Sequence, residues 1–208
     1  MTTKPQQLVQ AQIKSVIALY SNGQIQEALD SVETLIKNYP NEALLYNVRG
    51  ACYADLGQLD TAVKSYEQAL AIKPDYAEAY NNLGNAFKDL GQLDTAVKSY
   101  DQALAIKPDF AEAFNNLGSV LNEFGQLDTA VKSYEKVLAI KPDFAEAHYN
   151  LGVTLQELGQ LDDAVKSYEQ ALAIKPDYAE AHNNLGLTFK ELGQLDDAVK
   201  SYEQALAI

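Results

Sequence analysis

The residues best suited to chemistry in this chain are asparagines at regular spacing. Asn82, Asn116, Asn150 and Asn184 are each 34 residues apart. Asn47, Asn81, Asn115 and Asn183 form a second row on the same period, with Tyr149 as an aromatic break in it. Each amide offers both donors and an acceptor. A row of them along a groove can hold an extended peptide backbone without reading its side chains. Asparagine within a helix costs very roughly 0.5 kcal/mol against alanine, so its repetition calls for a compensating role. Two readings stay open, contact with a bound peptide or a bond to the adjacent helix. Carboxylates repeat as well. Glu78, Glu112, Glu146 and Glu180 form one row, and Asp55, Asp89, Glu123, Glu157 and Glu191 another.

Other chemistry is not supported. His148 and His182 stand one period apart. Packed helices lie roughly 8–10 Å apart, whereas zinc needs its nitrogens at about 2.0–2.1 Å, so no metal is expected. Cys52 aligns with Ala86, Val120, Thr154 and Thr188, all small, which reads as a buried structural thiol. Gly84 is followed by no Gly-Lys-Ser/Thr, so it belongs to no phosphate loop. Lys64, Lys98, Lys132, Lys166 and Lys200 share one position and read as a solvated face. No catalytic group and no cofactor is expected. Sixteen basic against 29 acidic residues leave a net charge of -13. Such a surface repels phosphate backbones and disfavours nucleic acid. It favours a basic or polar protein or peptide partner. No apolar run approaches the roughly 18 residues that span a membrane, and the start lacks the apolar core of a signal peptide. A cytoplasmic location is expected.

The elements that must position these rows follow from the same period. Pro40, Pro74, Pro108, Pro142 and Pro176 are 34 residues apart, and all 11 glycines fall into two series of that spacing. In residues 77–110, Tyr80, Leu83, Phe87 and Leu90 mark one helical face; Ala96, Val97, Tyr100, Ala103 and Leu104 mark a second. Nothing alternates with period 2. Asp75 and Glu78 predict a capping-box start for the first helix. Gly91 suits a left-handed helix end. Asp94 suits the first turn of the second helix and Lys107 its last turn, with Pro108 blocking continuation. Such hairpins cannot bury both faces alone and must stack. The expected fold is all-α, a right-handed α-solenoid of six hairpins in one domain over 1–208. The repeats are 9–42 (degenerate), 43–76, 77–110, 111–144, 145–178 and 179–208 (truncated).

The repeat resembles the tetratricopeptide repeat. The family pattern has an aromatic at position 4, Leu-Gly at 7–8, an aromatic at 11, Ala at 20, an aromatic at 24, Ala at 27 and Pro at 32. Here these are Tyr80, Leu83-Gly84, Phe87, Ala96, Tyr100, Ala103 and Pro108. The resemblance implies that Gly84 and Ala96 are small where helices approach, and that Tyr80, Phe87 and Tyr100 fill the wedge between them. His148 and His182 depart at position 4 and read as wedge-filling substitutes. Arg49, the only Arg, departs at position 7.

The repeats look most like those of O-linked N-acetylglucosamine transferases and of bacterial proteins that fuse such arrays to enzymes. In those transferase arrays, asparagines at position 6 line the inner surface and contact peptide. The family's concave surface is formed by the first helices, which implies an acidic groove with an amide stripe. Some chaperone adaptors of the family clamp a C-terminal carboxylate with cations; the corresponding positions here hold Asn or Glu. The expected function is a protein-interaction scaffold that binds an extended peptide and performs no catalysis. The alternatives are the substrate-recognition arm of a larger transferase-type enzyme, or a self-assembling module. Tyr202, Ala205 and Leu206 are expected to leave an apolar face open for self-association.

Overall fold

A computed structural model of the chain describes residues 4–208, with side chains from residue 9 onward. The described residues form twelve α-helices and no strand. The chain divides into two compact units, one up to Pro108 and one from Asp109 to Ile208. Unit 1 holds α1 (Lys4–Ser21), α2 (Ile25–Asn38), α3 (Ala43–Asp55), α4 (Leu59–Ile72), α5 (Ala77–Asp89) and α6 (Leu93–Ile106). Unit 2 holds α7 (Ala111–Glu123), α8 (Leu127–Ile140), α9 (Ala145–Glu157), α10 (Leu161–Ile174), α11 (Ala179–Glu191) and α12 (Leu195–Ala207). Each unit is a stack of helical hairpins, as the period predicts. Within each unit the first helix of a hairpin also touches the first helix of the next.

The seam inside each hairpin explains the glycine and tyrosine series. A Cβ on Gly84 would lie 2.5 Å from Cε1 of Tyr100, closer than real side chains approach. The absent side chain is the space into which the Tyr100 ring fits, and Tyr100 is fully buried. Ala96 and Ala103, on either side of that ring along α6, are fully buried too. Gly91 has φ of 72°. A residue with a Cβ adopts that left-handed conformation only at a cost, so glycine ends α5 and lets the chain reverse.

Two expectations about the helix ends are corrected. The Asp75–Glu78 capping box does not form: Tyr76 is the cap residue and α5 starts with no side-chain cap. Tyr76 is spent on packing instead, buried against Ala43, Ala69 and Ala79. Lys107 lies one residue past α6, where its backbone N–H bonds to the Ala103 carbonyl. Asp94 does occupy the first turn of α6.

The departures from the repeat pattern have packing reasons. His148 Nε2 lies 2.9 Å from the Pro142 carbonyl and His182 Nε2 3.0 Å from that of Pro176. Tyr46 Oη donates to the Pro40 carbonyl at 2.9 Å from the same repeat position. A histidine N–H therefore does what the tyrosine hydroxyl does there. Arg49 joins three helices: Nε donates to Ser65 (3.2 Å), Nη1 pairs with Glu33 (3.4 Å), and Nη2 donates to Gln68. On α12, Leu195, Val199 and Leu206 are exposed.

Candidate peptide-binding site

The two asparagine rows turn out to be partners of one another. Position 6 of one repeat meets position 5 of the preceding repeat, 35 residues earlier. Asn82 Nδ2 donates to Asn47 Oδ1 at 3.1 Å. Asn150 Nδ2 donates to Asn115 Oδ1 at 3.2 Å. Asn184 Nδ2 donates to the hydroxyl of Tyr149 at 3.1 Å. Stacking alone creates this contact, because it sets the first helices side by side. The inner members, Asn47, Asn81 and Asn115, are buried, and the outer members, Asn82, Asn116, Asn150 and Asn184, are half-buried. Asn81 and Asn116 are also engaged. Asn183 is exposed and donates to Asn184 at 3.4 Å. An amide has two N–H donors and a carbonyl with two lone pairs, so one bond in the ladder leaves an outer asparagine with capacity for a ligand.

The position 2 glutamates are exposed at the starts of the first helices. Glu146 accepts from Asn115 Nδ2 at 3.1 Å, and Glu78 pairs with Lys107 at 3.5 Å. An exposed pair of that kind contributes little stability. Glu112 stands in solvent, and Glu180 lines a pocket.

Pockets open at these rows in each unit. In unit 1 a pocket of about 550 Å³ is bounded by α1, α3, α4 and α5, with Asn47, Asn82 and Asn85 at its amide wall. Asp55 and Asp89 line it, and no cation does. In unit 2 a pocket of about 630 Å³ gathers Tyr149, Glu180, Asn183 and Asn184 against Tyr202 and Leu206. A narrower one of about 230 Å³ lies between Asn122, Tyr134, Tyr149 and Asn150. Tyr149 is thus part of the site, with its ring 4.9 Å from that of Tyr178 and 6.0 Å from that of Tyr168.

Sequence reasoning did not single out Tyr20, Asn85, Asn122 and Gln156. Asn85 accepts from the Tyr100 hydroxyl at 2.8 Å. Asn122 donates to Glu157 at 3.1 Å and to Thr154 at 2.9 Å. Gln156 donates to Glu191 at 3.0 Å. For Tyr20, Asn122 and Gln156 the signal that could have found them is the same spacing of 35, which links position 12 of one repeat to position 13 of the next; Asn85 pairs within its own hairpin, 15 residues from Tyr100.

The thiol has no reactive setting. Cys52 is fully buried, and burial, then the Asp55 charge, pushes its pKa up to about 11. No group of three or more metal-ligating side chains occurs among the described residues. Among the described residues no helix is long and apolar enough to cross a membrane. The lysines of the second helices are exposed, as their shared position predicts.

Models described as TPR repeat match residues 50–91, 84–123, 118–159 and 155–193. Models described as tetratricopeptide repeat match residues 10–42 and 179–208. No curated protein matches the chain significantly. Among solved structures, the type IV pilus biogenesis factor PilW is 28% identical over 97% of this chain and 93% of its own, with a TM-score of 0.88. MamA is 28% identical over 76% of this chain and 92% of its own, with a TM-score of 0.70. YrrB, described as a TPR protein with an unusual peptide-binding site, is 22% identical over 85% of this chain and 91% of its own, with a TM-score of 0.68. At that identity YrrB shows a shared fold.

Proposed function

The chain belongs to the tetratricopeptide repeat family, and from that premise we propose that it is a protein-interaction scaffold. It holds an extended segment of a partner protein against its first helices and performs no catalysis. One observation carries this reading: each unit places a pair of the ladder at the wall of an open pocket, Asn47–Asn82 in unit 1 and Tyr149–Asn184 in unit 2. The ladder orients the amides before any ligand arrives, so binding does not have to order them, and that saving favours affinity. Asn47, Asn82, Asn150, Asn183 and Asn184 line pockets directly; the position 2 glutamates set a negative rim that favours basic or polar segments.

Fluorescence anisotropy with labelled fifteen-residue peptides of mixed composition tests the reading. Wild type is expected to bind a subset of them. The double variant Asn82→Ala/Asn184→Ala is expected to bind that subset about tenfold more weakly, the loss of one to two hydrogen bonds of about 1 kcal/mol each. Circular dichroism melting of both proteins checks that the fold survives. Equal affinity of a folded variant and wild type would overturn the proposed role of the amides.

A further inference from the structure

The carboxylates at position 13 are not equivalent. Each stands 35 residues after a position 12 side chain on the preceding first helix, and that side chain decides its state. Asp55 is hydrogen-bonded with Tyr20. Glu157 and Glu191 are met by the amides of Asn122 and Gln156. The residue at that spacing before Asp89 is Ala54, whose methyl group offers no hydrogen bond. Asp89 and Ala54 line the same unit 1 groove, along with Asp55. Lys88 precedes Asp89 in the chain but is not among the groove-lining residues.

The rest of that groove suits a particular side chain. Ile17, Leu44 and Val48 supply apolar wall, and Tyr20 and Tyr66 add aromatic surface. A lysine or arginine has an apolar stem and a charged head, and it buries the first while presenting the second. The local field agrees with this: burial first, and then the charges of Asp55 and Asp89 among others, pushes the Tyr66 hydroxyl above its usual pKa.

We propose that the unit 1 groove docks a lysine or arginine side chain of an extended partner segment, with the stem on the apolar wall and the cationic head at Asp89 and Asp55. The proposal rests on the scaffold reading and names the residue class that anchors the partner. Asp55 already has one partner in Tyr20, so Asp89 carries the larger share of the recognition.

The test uses the full chain and twelve-residue Gly-Ser peptides with one central Lys, Arg, norleucine or Glu, followed by ¹H–¹⁵N NMR. The Lys and Arg peptides are expected to bind about tenfold more tightly than the norleucine peptide, as a charge-assisted contact requires. Their shifts should cluster around Asp55 and Asp89. Asp89→Asn is expected to erase most of that advantage and leave the norleucine peptide unchanged. Asn for Asp keeps the shape at an exposed position, so the fold should persist, and the unchanged norleucine binding verifies it. Equal binding of Lys and norleucine peptides, shifts mapping elsewhere, or no binding by any of the four would overturn the anchor. The scaffold reading would then stand or fall on its own asparagine variants. n-Butylamine binding as tightly as the Lys peptide would also overturn it, because the site would then select a free amine rather than a chain segment.

Discussion

Unit 1 and unit 2 are built from nearly the same repeat, yet their first-helix faces treat negative charge differently. In unit 2 the position 13 carboxylates belong to glutamates, and amides one repeat back reach Glu157 and Glu191. In unit 1 the same position holds Asp55 and Asp89, one methylene shorter, and the side chains one repeat back are Tyr20 and Ala54. Unit 2 therefore satisfies Glu157 and Glu191 internally, while in unit 1 Tyr20 meets Asp55 and Asp89 is left facing a groove of about 550 Å³. Glycine, alanine and tyrosine at the seam build the stack, and positions 12 and 13 set which carboxylates are met by a neighbouring side chain.

The largest expected effect tests whether the seam is equally tight in both units. A Cβ on Gly84 would sit 2.5 Å from the Tyr100 ring, and one on Gly118 would sit 2.8 Å from the Tyr134 ring. Tyr100 cannot swing aside easily, because its hydroxyl is tied to Asn85 at 2.8 Å. Overpacking costs about 1–3 kcal/mol, and the helix preference of alanine over glycine returns up to about 1 kcal/mol. Gly84→Ala should destabilise the protein by about 2 kcal/mol and Gly118→Ala by about 1 kcal/mol in urea denaturation. Equal losses would show that the seams do not differ.

A smaller effect is expected from making unit 2 more like unit 1. Tyr149 stands where four of the other five repeats have asparagine, and its ring packs against Tyr178 and Tyr168. Tyr149→Asn removes those contacts, each worth about 0.5–1.5 kcal/mol, but restores an amide that Asn184 can meet. A net loss of about 1 kcal/mol is expected, together with tighter binding of labelled peptides. Denaturation and anisotropy on the same variant check both halves. Unchanged peptide affinity would mean that Tyr149 does not restrict the unit 2 groove.

Much of the fold was legible because the chemistry that builds it is local. Gly91 and Pro108 punctuate the helices through backbone geometry alone, and Gly84 with Tyr100 announces a close approach by its repetition. The Asp75–Glu78 cap misled for a physical reason: Tyr76 is worth more in the core than an acidic cap is at the helix start. The asparagine rows were legible as a pattern, but their mutual pairing was not. That contact depends on which residues stacking brings side by side, a separation of 35 that no single helix displays. The open state of Asp89 was hidden for the same reason, since it follows from what Ala54 lacks.

The smallest predicted effect probes that stacking register directly. Tyr20 is pushed up to about 12 by burial first, and then by its hydrogen bond with Asp55 and by the Asp55 charge. An unfolded tyrosine titrates near 10. The folded chain therefore holds this proton more tightly than the unfolded chain. The associated stability is fully present below about pH 10 and is lost as pH rises toward 12. Asp55→Asn removes the charge and leaves burial and a neutral amide acceptor in place, so Tyr20 should titrate earlier yet still above an unfolded tyrosine. Tyr178 in unit 2, pushed up to about 12 by burial and then by Tyr149, Glu146 and Glu180, has no such partner in Asp55 and should not move. Phenolate absorbance titrations of wild type and Asp55→Asn, each with and without Tyr20→Phe to assign the signal, make the measurement. A Tyr20 that titrates at the same pH in both would mean that Asp55 does not face α1. The alignment of positions 12 and 13, on which the open carboxylate of Asp89 depends, would then be wrong for unit 1.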